Sequence, residues 1–199
     1  MKVGIMGGTF DPIHNGHLIL AETVHDKLKL DEILFIPSAR PPHKRFRQDI
    51  IDPEHRLAMT VLATCSNKNF HVSTIEILRN GPSYAVYTID ELKKIYEFGT
   101  EFYFILGSDA AVELYTWHHA QELIEKCNFI VATREGTDFN VEEIEKDFSV
   151  KGRIQKIDTP KIEISSTEIR EKIKNGQSIK YLVPESVETY IRKENLYEY

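Results

Sequence analysis

The chain has 199 residues, 41% of them hydrophobic, enough to bury one sizeable core but cramped for two independent domains. Its 25 basic and 31 acidic residues leave a net charge of −6, which excludes a protein that grips nucleic acid by broad phosphate neutralisation, so any anion site must be local. Cys65 and Cys127 stand apart from each other, which excludes a disulfide framework and a cysteine-based zinc site and suits a reducing, cytoplasmic setting.

In chain order, residues 3–6 read as a first strand that runs into Gly7 and Gly8, too short a run for a signal peptide or membrane span, so no membrane partner is expected. Leu20, Ala21, Val24 and Leu28 follow at helical spacing, then a strand over 33–37. Asp52 and Pro53 mark the cap and first position of a helix carrying Leu57, Val61 and Cys65. Residues 70–78 read as a third strand, and Ile89, Leu92 and Tyr96 as a helix. Strands over 102–106 and 129–132 come next, then a solvated acidic helix over 140–148 and a strand over 153–157. Ser165 with Glu168 forms a capping box, and 184–196 reads as a terminal amphipathic helix. The alternation predicts a doubly wound, Rossmann-like parallel α/β sheet with right-handed crossovers. We expect one domain over 1–199, its core reaching about residue 165 and a small helical portion beginning near 166.

In such a sheet, ligands sit beyond the carboxyl ends of the strands where the strand order reverses, so the loop after the first strand is the place to look. Gly7 and Gly8 let backbone amides approach a phosphate, and Thr9 adds a hydroxyl beside them. The loop is neither a Walker loop nor a Gly-x-Gly-x-x-Gly fingerprint. Asn15 and Gly16 turn the chain into a helix, placing His14 and His17 at its N-terminus, where amides and dipole favour an anion. Two imidazoles there are suited to donating hydrogen bonds to phosphate oxygens as charge moves onto a leaving group. By residue type alone the glycines also fit a plain turn, and the histidines fit surface positions or half of a metal site, although no third zinc ligand follows at familiar spacing.

Ile164-Ser165-Ser166-Thr167-Glu168-Ile169-Arg170 opens a second helix whose hydroxyls, amides and guanidinium can meet an anion, or that is simply a capped helix with a surface arginine. Arg40, Pro41, Pro42, His43, Lys44, Arg45 and Arg47 make a dense basic stretch in an acidic chain; a solvated loop also accounts for Arg45 and Arg47.

Gly8-Thr9-Phe10-Asp11-Pro12 with His14-Asn15-Gly16-His17 resembles the first signature of the adenylyltransferase superfamily, and Ile-Ser-Ser-Thr-x-Ile-Arg is similar to its second. Pro-Pro-His-Lys at 41–44, Arg79-Asn80-Gly81-Pro82-Ser83-Tyr84 with Thr88, Leu106-Gly107-Ser108-Asp109 and the sole tryptophan, Trp117, resemble its nicotinate-mononucleotide adenylyltransferase branch, so the likeness runs along essentially the whole chain. The resemblance implies an enzyme condensing nicotinate mononucleotide with ATP to deamido-NAD and pyrophosphate, a step of NAD biosynthesis. It implies His14, His17, Lys44 and Arg170 as catalytic residues, and Gly7, Gly8, Thr9, Phe10, Gly16, Gly107, Asp109, Ile164, Ser165, Ser166 and Thr167 as the ATP site. Ser83, Tyr84, Thr88, Trp117 and Arg134 would hold the mononucleotide, with Trp117 stacked on the pyridine ring and Asp109 accepting from ribose hydroxyls. Magnesium would be held mainly by ATP phosphates, with no ligand from protein side chains. ATP and nicotinate mononucleotide are the implied partners, nucleic acid is not, and a homodimer is a candidate assembly.

The family loop commonly reads Gly-Pro-Ser-Tyr-Thr-x-Asp-Thr, whereas Ala85 and Tyr87 stand here, removing a hydroxyl suited to the nicotinate carboxylate. Either Thr88 or amides near Trp117 compensate, or the choice between nicotinate and nicotinamide is looser. His118 and His119 are read as pocket wall. A phosphopantetheine adenylyltransferase and a non-catalytic nucleotide-sensing module are the competing readings, separated from the first by acceptor assays and by pyrophosphate release.

Overall fold

Apolar residues alternate along each central strand and fill two layers, one on each face of a parallel sheet. The computed structural model describes residues 1–41, 50–134, 140–160 and 162–198. Lys44 and the Arg134 side chain, two of the expected ligands, lie outside the described residues. Among those described, six parallel strands run in the order β3-β2-β1-β4-β5-β6: β1 Lys2–Gly8, β2 Glu32–Pro37, β3 Phe70–Val72, β4 Glu101–Gly107, β5 Asn128–Arg134 and β6 Ile154–Thr159. The doubly wound expectation holds.

Helices α1 (Asn15–Leu28) and α2 (Pro53–Thr64) cover one face as the sheet grows from β1 to β3. The short α3 (Ile75–Leu78), α4 (Ala85–Ile95), α5 (Ser108–Val112), α6 (Ala120–Lys126) and α7 (Val141–Asp147) serve the other half, with Val86, Ile89, Leu123 and Ile144 in the opposite layer. Reversing both the growth direction and the face keeps the crossovers of one hand. Finally α8 (Ser166–Lys174) and α9 (Glu185–Lys193) return to the α1 face, where Ile169, Val187 and Ile191 join Met59, Ala63 and Ile130. Gly4 makes that layer close: a Cβ there would come within 2.5 Å of Ile33 Cδ1.

The strand expected over 70–78 is corrected to three residues followed by α3. In the β2–β3 ladder Phe35 pairs with Val72 and its carbonyl accepts from the Ser73 amide at 2.9 Å, so the next β2 donor facing β3 would come from Pro37, which has no N–H. The ladder stops there and the chain turns into α3, burying the Glu76 side chain. At the start of α2, Pro53 takes the first position as expected, but the Asp52 side chain makes no cap hydrogen bond. The Ser165 cap does form, its Oγ accepting from the Glu168 amide at 3.1 Å.

Candidate active site

β1 and β4 are neighbours that lead to opposite halves of the sheet, so the crevice beyond their carboxyl ends is the topological switch point. Among the described residues, two clefts open there. One, of about 450 Å³, is lined by His14, Gly16, His17, Asp109, Ser165 and Ser166. The other, of about 320 Å³, is lined by Gly8, Thr9, Glu76, Tyr84, Trp117 and His118.

The first cleft is where the beginnings of α1 and α8 meet. His14 caps α1 and is buried, and its ring stacks on that of His17 with centroids 3.6 Å apart. The His17 Nδ1 accepts from the His14 amide at 3.2 Å, so the neutral ring carries its proton on Nε2. Burial lowers the His14 pKa to about 4, leaving a neutral imidazole at pH 7, and its Nδ1 is buried without a hydrogen-bond partner. Gly16 permits this packing, since a Cβ would lie 3.0 Å from that same Nδ1. The Phe10 ring packs edge-on beneath His17 at 5.1 Å; it is core, so its ring supports the site from behind.

The second signature helix is tied directly to this loop. Ser166 Oγ donates to the Pro12 carbonyl at 2.9 Å, and Arg170 Nη1 donates to the Asp11 carbonyl at 2.8 Å. Thr167 Oγ1 accepts from Arg170 Nη2 at 3.3 Å, which turns that hydroxyl toward the arginine. Ile164, Gly107 and Asp109 complete the rim.

On the other side, Trp117 stands edge-on to Phe104 at 5.6 Å, while Tyr84 stacks on His118 at 4.0 Å. Ser83 is fastened to Arg40, its amide donating to the Arg40 carbonyl and its Oγ accepting from the Arg40 amide. Thr88 is fully buried and its hydroxyl donates to Glu76 Oε1 at 2.7 Å while accepting from Arg79 Nη2 at 3.1 Å, so it braces the wall from within. Burial pushes the Glu76 carboxyl up despite the hydroxyls of Thr88 and Ser83. Gly7, Gly8 and Thr9, grouped by sequence with the histidines, open onto this aromatic cleft instead.

Residues 5–172 match the cytidylyltransferase-like family. A curated "probable nicotinate-nucleotide adenylyltransferase" of Thermoanaerobacter sp. (strain X514) is 51% identical, covering 100% of this chain and 95% of its own. The same name is carried by a Moorella thermoacetica protein at 48% identity over 98% of this chain and 91% of its own. The chain belongs to the nicotinate-nucleotide adenylyltransferase family. Among solved structures, a Plasmodium falciparum nicotinic acid mononucleotide adenylyltransferase complexed with NaAD shares the fold at a TM-score of 0.79, with 21% identity and 99% and 97% of the two chains covered.

Within this adenylyltransferase fold, a supporting residue beside the aromatic cleft, Arg56, escaped the sequence reading. Arg56 is 1% exposed, and its Nη1 donates to the carbonyls of Thr9 at 2.7 Å and Ser38 at 2.6 Å while Nε donates to Ile51 at 3.0 Å. It pins the ends of β1 and β2 beside the aromatic cleft. A signal existed: Arg56 shares a helical stripe with the apolar Met59 and Ala63, where a charge must find partners. Of the two histidines beside Trp117, His118 lines the cleft, whereas His119 bonds Glu122 at the start of α6.

Proposed function

We propose that the chain transfers the adenylyl group of ATP to nicotinate mononucleotide, releasing pyrophosphate and forming nicotinate adenine dinucleotide. The carrying observation is the meeting of the α1 and α8 starts on one polar cleft, with an aromatic cleft of mononucleotide size on the other side of the β1 and β4 ends. The curated relatives carry the name of this activity.

In this reading the ATP phosphates lie over His14, Gly16, His17, Ser165 and Ser166, and Asp109 accepts from the ribose hydroxyls. The pyridine ring stacks on Trp117, and Gly7, Gly8 and Thr9 form the floor where the mononucleotide phosphate reaches the α-phosphorus. A phosphate oxygen of the mononucleotide forms the new bond to the α-phosphorus; the bond to the α–β bridging oxygen breaks, and its electron pair leaves with pyrophosphate. The attacking oxygen is already ionised, so no side chain need act as nucleophile, and alignment and charge stabilisation supply the rate. A neutral His14 and a His17 donating from Nε2 hydrogen-bond the phosphate oxygens without attacking them. Arg170 holds the loop and is one turn from the cleft, and Lys44 and Arg134 belong to the reading through the resemblance alone.

Magnesium accompanies ATP in this proposal. Asp109 brings one carboxylate to the ATP cleft, and in this reading the ligands of the ion are chiefly phosphate oxygens. When bound, it neutralises charge on the leaving group. We place the reaction in the cytoplasm; no described helix is long and apolar enough to cross a membrane, and both cysteines are free thiols.

Pyrophosphate release from ATP, measured with nicotinate mononucleotide, nicotinamide mononucleotide and phosphopantetheine in parallel, is expected to be fastest with the first. ATP binding without release for any acceptor would sink the catalytic reading in favour of a sensing module.

A further inference from the structure

The loop between β1 and α1 has no ladder or helix of its own to fix it, and its shape depends on bonds arriving from elsewhere. Three of these reach its backbone: Arg56 to the Thr9 carbonyl, Arg170 to the Asp11 carbonyl and Ser166 to the Pro12 carbonyl. A fourth reaches a side chain. Tyr197 OH donates to Asp11 Oδ1 at 2.8 Å, with Tyr197 6% and Asp11 4% exposed, and the other carboxylate oxygen lies 3.7 Å from Arg170 Nη1. Leu196 and Tyr197 sit in the same apolar layer as Phe10 and Ile13.

From this geometry we propose that Tyr197 is a positioning residue, latching Asp11 so that His14 and His17, three and six residues further on, face the ATP polyphosphate in the aligned geometry. The proposal rests on the adenylyltransferase reading. Its physical basis is the low dielectric at the bond: a buried carboxylate oxygen has no water to replace the phenol, so losing the hydroxyl lets the loop relax toward another partner. Burial and then the Asp11 charge push the phenol above its ordinary range, so it stays a donor at every working pH. A displacement of about 1 Å in groups that align reacting phosphates lowers turnover far more than binding.

The test compares Tyr197→Phe, Asp11→Ala, Asp11→Asn and the Tyr197→Phe/Asp11→Ala double variant, each checked by thermal melting and assayed well below its Tm. Tyr197→Phe and Asp11→Ala should each lower kcat about tenfold with KM for the mononucleotide within about twofold, the double variant should lose no more than either single, and Asp11→Asn, which keeps an acceptor oxygen, should restore most of the rate. An activity-free readout accompanies it: the His14 titration midpoint near 4, followed by NMR of histidine-labelled protein, should rise in Tyr197→Phe as the loop loosens. A Tyr197→Phe enzyme with wild-type kcat and an unmoved His14 midpoint, whatever its Tm, overturns the latch and leaves Tyr197 as core filling. Wild-type protein without turnover on any acceptor removes the adenylyltransferase reading instead, and the His14 midpoint then decides the latch by itself.

Discussion

On one side of the β1 and β4 ends the wall is made of helix starts and paired imidazoles; on the other it is made of Trp117, Phe104, Tyr84 and His118. Among the described residues the polar wall offers oriented amides and ring N–H groups, which can bind a polyphosphate locally in a chain whose net charge is −6. The aromatic wall offers flat area, and its buried Glu76 carboxyl, pushed up by burial, accepts from the Thr88 hydroxyl. Between them lies the loop of Thr9 to His14, braced by Arg56, Ser166, Arg170 and Tyr197. The contrast separates two kinds of failure: damage on the polar side should appear in kcat, and damage on the aromatic side in KM for the acceptor.

The largest expected effect is His17→Ala, which should lower kcat by about 10²–10³-fold, the loss of one oriented donor to a charge-developing oxygen, with the melting transition retained. Wild-type turnover in that variant would remove His17 from the chemistry and break the contrast. Next comes pH. His14 has a folded pKa near 4 against an ordinary 6.5, so the unfolded chain takes up the proton first: its contribution to stability is complete above pH 6.5 and is lost as pH falls toward 4. Denaturant melts at pH 7.5 and 4.5 should show wild type losing up to about 3 kcal/mol more than His14→Gln; parallel losses would contradict the burial of that ring.

Trp117→Ala is expected to raise KM for the mononucleotide about tenfold, worth about 1.4 kcal/mol of stacking, while KM for ATP stays put. An equal rise in both would show that the clefts are not separate sites. Smallest is Thr88→Val, expected to cost about 1 kcal/mol of stability through the hydrogen bond lost by buried Glu76 and to leave the nicotinate to nicotinamide preference unchanged, since its hydroxyl lies inside the wall. A changed preference would return Thr88 to the acceptor's surroundings.

Much of this was legible locally. The β1–loop–α1 passage announces itself because Gly7, Gly8 and the Asn15-Gly16 turn are short-range signals, and the Ser165 cap was visible because its partner amide is three residues away. The shortened β3 was not, because Pro37 stops a ladder on a different strand, and apolar periodicity carries no record of which donors a neighbour lacks. Arg56 and Tyr197 were missed for a related reason: their meaning comes from carbonyl and carboxylate groups 47 and 186 residues away.

The sequence by itself determined the alternating strands and helices, the two phosphate-suited helix starts and the family to which they point, because each is written in residues within a few positions of one another. Only the tertiary structure decided that those starts share one cleft, that Gly7, Gly8 and Thr9 face the aromatic side, and that Thr88 is a brace. Those outcomes depend on strand order and on which buried polar groups find each other, and such pairings exist only once the chain has closed around its sheet.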